Sequence, residues 1–200
     1  MANYDKSIQD FKSKLAYGGV RPTMFEVTIS FPTGLTADND AAESAQYLVK
    51  AAQLPASTVG VIDVPFRGRK LKVSGDRSYA DWSTTITNDH SFGLRVTLEK
   101  WSELIQNHNF VLGANKLEDY FGSAVVRQLD RDAKQIRAYQ FEGIWPSTVG
   151  EIGLDFDSTD QVEFYDCTWA VQFWTAIEVG DPATGAARSN VGSATPLITS

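Results

Sequence analysis

Along several stretches the chain alternates apolar and polar residues with the period of two that marks a strand with one buried face. Phe25, Val27, Ile29 and Phe31 alternate with Glu26, Thr28 and Ser30, and Pro32 stops the pairing. Trp82, Thr84 and Ile86 share one face of the stretch 82–88, against Ser83, Thr85 and Thr87. The most regular alternation runs from Val162 to Trp174. There Tyr165, Cys167, Trp169, Val171 and Phe173 are expected in the core, with Asp166, Thr168, Ala170 and Gln172 facing the other way. Ser123–Leu129 and Ile136–Trp145 flank a polar insert, Asp130 to Gln135, of the length and composition of a hairpin loop. Val59–Asp63 and Val64–Val73 are also β-rich, and Ala45–Leu54, closed by Pro55, is read as a strand although its composition also suits a helix.

One stretch has the other periodicity. Leu94, Leu98, Trp101 and Ile105 follow one another at offsets of four, three and four, which puts them on one stripe of a helix that Asp89 or Ser91 can cap. Lys100 and Glu103 fall off that stripe and are expected outside. Near the N-terminus, Tyr4, Ile8, Phe11, Leu15 and Tyr17 recur every three to four residues, as in a short amphipathic helix or docking arm that Gly18-Gly19 ends. The connection from Phe110 to Gly122 shows no pattern. Seven or more strands, one helix and no strand–helix alternation predict a mainly β chain, an antiparallel β-sandwich/barrel with one flanking α-helix. The expected divisions are an N-terminal arm (1–22), one β domain (23–179) and a C-terminal tail (180–200). The tail is rich in Gly, Ala, Ser and Thr, a composition that cannot bury enough apolar surface to order itself.

Charge changes this picture. The 200 residues carry a formal net charge of −7, which argues against nonspecific attraction to nucleic acid or an anionic membrane. Against that acidic background Arg67, Arg69, Lys70, Lys72 and Arg77 crowd into the segment 64–82, whose Gly75-Asp76 reads as its turn. From Ala138 to Ala187 there is no Lys or Arg, while Glu142, Glu151, Asp155, Asp157, Asp160, Glu163, Asp166, Glu178 and Asp181 supply nine carboxylates. A basic segment and a base-free acidic one on different faces let copies of a chain meet head to tail, the contact that closes rings or extends stacks. An ordinary solvated hairpin explains the basic segment equally simply.

Side-chain parity suggests a second surface. If Tyr139, Phe141 and Trp145 join the core, Gln140 and Glu142 lie on a polar side, and Asp166, Thr168 and Gln172 are assigned to that same base-free side.

Catalytic chemistry finds little support. His90 and His108 sit at opposite ends of the expected helix, and no GxSxG, HExxH, CxxC or glycine-rich phosphate loop occurs. The run Asp155-Phe156-Asp157-Ser158-Thr159-Asp160 spaces its oxygens like a calcium loop but lacks the Gly and distal Glu of an EF-hand, so an Asx-type turn is the simpler account. The lone Cys167 excludes an intrachain disulfide, no run is long and apolar enough to span a bilayer, and residues 1–19 lack the apolar centre of a signal peptide. Synthesis in the cytoplasm is the expectation, with no cofactor and no metal.

Several short motifs, taken in order, resemble a known family: Met24-Phe25-Glu26-Val27; Leu54-Pro55-Ala56-Ser57-Thr58-Val59-Gly60 before Val64-Pro65-Phe66-Arg67-Gly68-Arg69; and Gly75-Asp76-Arg77. Trp82, Asn88-Asp89, Gln128-Leu129-Asp130-Arg131-Asp132, Gly143-Ile144-Trp145-Pro146 and the Asp155–Asp160 run complete the series. Over about Thr23 to Trp174 the chain resembles the tail tube proteins of contractile-tailed, myovirus-type phages.

The resemblance implies a structural subunit of the virion tail and not an enzyme, six to a ring, with rings stacked around a channel that carries the genome into the host. Its implied partners are further copies of itself, a tail sheath protein, tape measure and baseplate proteins, and double-stranded DNA in transit. The expected contact residues between subunits are Arg67, Arg69, Lys70, Lys72 and Arg77 with Asp155, Asp157 and Asp160. The expected channel lining is Gln140, Glu142, Asp166, Thr168 and Gln172, and Lys100 and Glu103 are expected to face the sheath. The family is similar in fold to the tube component of type VI secretion systems, so a bacterial contractile injection device is the near alternative. A monomeric, calcium-dependent ligand-binding β-sandwich built on the Asp155–Asp160 turn is the alternative from another class. The Ala37–Ala42 loop and the Gly180–Ser200 tail lie apart from the matching motifs.

Overall fold

The computed structural model describes residues 7–15, 18–35, 41–54, 56–108, 113–114 and 116–177. The Gly180–Ser200 tail, residues 37–40 of the acidic loop, Glu178 and Asp181 lie outside the described residues. In chain order the elements are α1 (Ile8–Lys14), β1 (Phe25–Ser30), α2 (Ala41–Leu48), β2 (Val49–Ala52), β3 (Ser57–Phe66), β4 (Arg69–Tyr79) and β5 (Trp82–Thr87). There follow α3 (Gly93–Ile105), α4 (Leu117–Tyr120), β6 (Gly122–Leu129), β7 (Gln135–Val149), β8 (Phe164–Ala170) and β9 (Phe173–Ile177).

Seven strands form one antiparallel sheet in the order β1-β6-β7-β8-β5-β2, with β9 also paired to β7. The long β7 makes the sheet fold on itself. Its first half pairs with β6 and β9, and its second half pairs with β8. Between them stands Gly143 at φ 62°, a left-handed conformation that a side chain resists. An added Cβ there would also lie 2.6 Å from Gln172 Cγ.

The two halves pack face to face through aromatic rings. Trp82 stacks on Phe141 at 4.8 Å and lies 5.8 Å from Trp169, whose other side meets Trp101 of α3 at 5.7 Å. All four side chains are fully buried. The expected helix stripe is present, since Leu94, Leu98 and Trp101 are buried and Ile105 packs at the margin of the core. Helix α2 packs on β1, β2 and α3, closing the open side between the edge strands β1 and β2.

The structure corrects the sequence reading at several points. Ala45–Leu54 is not one strand: it divides into the end of α2, which buries Ala45, and the short β2. The flanking helix α3 is accompanied by α2 and by α4, the latter lying in the unassigned stretch 110–122, while α1 falls where the N-terminal spacing suited a short amphipathic helix. Neither Asp89 nor Ser91 is the N-cap of α3. That position is held by Phe92 at φ 53°, with Ser91 Oγ instead accepting from the Gly93 N–H at 3.3 Å.

The basic hairpin turns at Arg67-Gly68, both at positive φ (45° and 82°), as a two-residue hairpin turn requires. Gly75-Asp76 lies within β4, opposite a bulge at Gly60, where a Cβ added at Gly75 would lie 3.2 Å from the Gly60 carbonyl oxygen.

Finally, the alternation of 162–174 breaks after Ala170. Phe173, expected in the core, is 45% exposed, while Trp174 packs against the core instead. The matching slip in β7 makes Ile144 and Pro146 buried where Trp145 was expected. Both slips occur where the chain crosses from one layer to the other, joined by the Gln172 N–H donating to the Glu142 carbonyl at 3.3 Å.

Candidate assembly surface

The hairpin β3–β4 forms a sheet of its own and packs on no other element to any extent. Nearly every residue in it is exposed. The register gives its two faces different chemistry. Ile62, Val64 and Phe66 lie opposite Val73, Leu71 and Arg69, making one face that is apolar except for Arg69 beside the tip. Asp63 and Pro65 lie opposite Lys72 and Lys70 on the other face, which is charged. Within that face Lys70 Nζ reaches Asp63 Oδ2 at 3.2 Å, an exposed pair of small energetic weight. Arg67 projects at the tip and Arg77 near the base, so the five expected basic residues share one element and all are exposed. A two-stranded sheet without a core beneath it is marginal in water. Apolar groups as exposed as Phe66 (67%) and Leu71 (64%) mark a surface made for another protein.

The acidic counterpart is the segment 151–163 between β7 and β8. Asp155 Oδ1 accepts from the Asp157 N–H at 3.0 Å, the Asx turn expected from the sequence. Asp155, Asp157 and Asp160 are all exposed, and among them Leu154 (82%) and Phe156 (106%) stand fully in solvent.

These two features leave β5 and its partner β8 at opposite ends of that strand pair. Trp82, just after the hairpin, pairs with Trp169, while Thr87 at the far end of β5 pairs with Phe164, where the acidic segment enters β8. Asn88 anchors the acidic segment there, its N–H donating to the Glu163 carbonyl at 2.9 Å and its amide to Glu163 Oε2 at 3.0 Å. The aromatic pair Tyr79–Trp174, with centroids 6.1 Å apart, holds the hairpin base on the other end. Different chemistry at the two ends is the complementarity that a head-to-tail, heterologous contact between copies uses.

The residues expected to line a channel are not on one face. Gln140 and Glu142 point outward from the β1-β6-β7-β9 half, hydrogen-bonded to each other, and Gln172 joins Glu142 in a groove with Ser30, Ser123 and Phe173. Asp166 and Thr168 point outward from the β5-β8 half, where Thr85 Oγ1 donates to Asp166 Oδ1 at 2.7 Å. Since Phe141 and Trp82 stack between the layers, the two sets face away from each other. The parity slip at Gly143 and Val171–Gln172 hid this from the sequence. The faces also differ in charge. Arg127 lies on the first, beside Glu26 at 3.7 Å; on the second, β5, β8 and the second half of β7 carry no base, and Lys50 of the edge strand β2 stands over the Phe164 ring at 3.6 Å.

Lys100 and Glu103 are exposed on α3, beside a groove that Gly34, Leu35, Leu104 and Asn107 also line. Behind the helix, Arg95 lies 4.8 Å from the Tyr165 ring and donates to the Gly150 carbonyl at 2.6 Å. Burial raises the Tyr165 hydroxyl well above its ordinary value and pushes the Cys167 thiol up to about 12, with Arg95 opposing both shifts. Both groups stay neutral and belong to packing, not to chemistry at a cleft. Among the described residues no three His, Cys, Asp or Glu side chains gather as a metal site would require.

A small β subunit that exposes an unsupported amphipathic hairpin at one end and an acidic apolar loop at the other belongs to the class of self-assembling structural proteins. The family model for phage tail tube proteins matches residues 20–176, and the chain belongs to that family. It is 34% identical over 155 residues to the tail tube protein gp19 of Enterobacteria phage T4, covering 77% of this chain and 90% of that one.

Solved structures with the same fold include the sheath–tube complex of the extracellular contractile injection system PVC (TM-score 0.57, 11% identity, 84% of this chain and 97% of the other). Another is the cap of the anti-feeding prophage (TM-score 0.60, 12% identity, 80% and 91%). The chain is thus a structural component of a phage tail, as its sequence motifs implied.

Proposed function

We propose that this chain is the repeating subunit of the inner tube of a contractile phage tail, six copies to a ring, with stacked rings enclosing a channel through which DNA passes. It acts by assembly and not by catalysis. The single observation that carries the reading is the placement of the free hairpin and the acidic loop at opposite ends of the β5–β8 pair. Arg67, Arg69, Lys70, Lys72 and Arg77 of one copy meet Asp155, Asp157 and Asp160 of the next, while the apolar hairpin face lies on a second neighbour's body. Each exposed charge pair is worth only about 1 kcal/mol or less, so charge sets register and the buried hairpin face supplies affinity. The 34% identity to a phage protein, against 11–12% to the injection devices, favours a phage tail over a bacterial injection tube.

The outer face of β5 and β8, with Asp166 and Thr168, is the better channel wall, because these two strands carry no Lys or Arg to hold phosphates and slow their passage, and Lys50 at the β2 edge is engaged over the Phe164 ring. Gln140, Glu142 and Gln172 then lie off the channel. Lys100 and Glu103 on α3 face the sheath, and tape measure and baseplate proteins meet the tube at its ends. No stable membrane or nucleic-acid binding is required of the subunit.

Reversing both Arg67 and Arg69 to Glu tests the stacking contact. The variant should keep its fold by circular dichroism and fail to form tubes by negative-stain imaging. Normal tubes from this variant at low salt would overturn the contact.

A further inference from the structure

Helix α1 precedes the first residue of the family match at position 20. Its local construction is complete. Ser7 Oγ accepts from the Asp10 N–H at 3.3 Å while Asp10 Oδ2 accepts from the Ser7 N–H at 3.1 Å, a capping box. Ile8, Phe11 and Leu15 share one side of it at 70%, 64% and 43% exposure, and none of its residues is buried. Seven isolated helical residues are not stable in water without a surface to pack on. Lys12 shares the apolar side, four residues after Ile8, and Lys14 flanks it.

The surface with matching chemistry is the 154–162 loop. Leu154, Phe156 and Val162 are 82%, 106% and 58% exposed, and Asp155, Asp157 and Asp160 stand between them. Within one copy the two lie at opposite ends of β7. Gly18, after α1, sits beside Arg131 in the β6–β7 turn, whereas the loop leaves the far end of that 15-residue strand. A head-to-tail contact between copies joins an end of one to the other end of the next, and so can set α1 of one copy against the loop of its neighbour.

We infer that α1 is a second docking arm, seating Ile8, Phe11 and Leu15 on Leu154, Phe156 and Val162 of an adjacent copy, with Lys12 and Lys14 at the edge of the acidic patch whose aspartates meet the hairpin. This rests on the tube reading and adds to it a contact that the hairpin does not make. The arm lengthens the axial interface beyond the matched domain, so a chain without it should still fold and stack more weakly.

Cysteines at Phe11 and Phe156 provide the test, because Cys167 is buried and does not compete. Mild oxidation of assembled tubes should give a ladder of covalently linked copies, and the dilute monomer should give none. Removal of residues 2–15 should raise the concentration needed for tube formation about tenfold or more. Tubes without links, together with an unchanged assembly concentration after the deletion, would overturn this docking and leave the tube reading standing. The same holds for a link formed within the dilute monomer, and for a Phe11→Cys thiol that stays open to bulky reagents in bare tubes and is shielded only by added sheath. A wild-type chain that never forms tubes at any concentration would overturn the tube reading, and the docking with it.

Discussion

Trp101 illustrates how much one side chain decides here. It is fully buried, touches Trp169 and Phe31 edge-on, and its indole N–H donates to the Tyr120 carbonyl at 2.8 Å, so it ties α3 and α4 to both layers of the folded sheet. Trp101→Ala removes that volume and leaves a buried carbonyl without its donor. The expected loss is about 3–5 kcal/mol, read as a lower denaturant midpoint with unchanged slope. A loss below about 1 kcal/mol would mean that the helix is not part of the core. The helical spacing of Leu94, Leu98 and Trp101 made this burial legible, because only one face of a helix can meet a sheet. The hydrogen bond to Tyr120 was not legible, since nothing in the sequence near position 120 signals a partner nineteen residues earlier.

Among the elements, the β3–β4 hairpin separates folding from assembly most clearly. Its apolar face contributes nothing to the monomer core, so Phe66→Asp with Leu71→Asp should change monomer stability by no more than about 0.5 kcal/mol. The same pair should abolish tube formation, measured by sedimentation and imaging. Large destabilisation of the monomer would show that the hairpin folds back onto its own domain. The sequence revealed the hairpin's β character and its charge, but not its turn. Arg67-Gly68 and Gly75-Asp76 are comparable turn signals locally, and the choice fell to cross-strand register, which pairs Ile62 with Val73 and Val64 with Leu71 on one side. Helix α2 was missed for a similar reason. Its Ala-rich segment suits helix or strand, and packing against β1 and α3 selected the helix.

At the scale of the whole molecule, only one of two outward faces can line a channel. Single cysteines at Thr168 and Gln140 distinguish them in assembled tubes, with buried Cys167 silent. If the β5–β8 face is the wall, a maleimide on a bulky carrier should label Gln140→Cys and spare Thr168→Cys, and both should react in the monomer. The reverse pattern would place the channel on the β6–β7–β9 face.

The sequence by itself determined the strand-rich character, the amphipathic α3, the acidic Asx turn and the separation of basic from acidic segments. Each of these depends on residues near one another along the chain. Tertiary structure alone decided where β7 bends at Gly143, why Phe173 faces solvent while Trp174 packs inward, and which polar residues share a face. A one-residue slip at a corner between layers reverses side-chain parity for everything beyond it, and no local pattern records such a slip. The opposite placement of hairpin and acidic loop likewise follows from the antiparallel register of β5 on β8, a long-range pairing that periodicity does not encode.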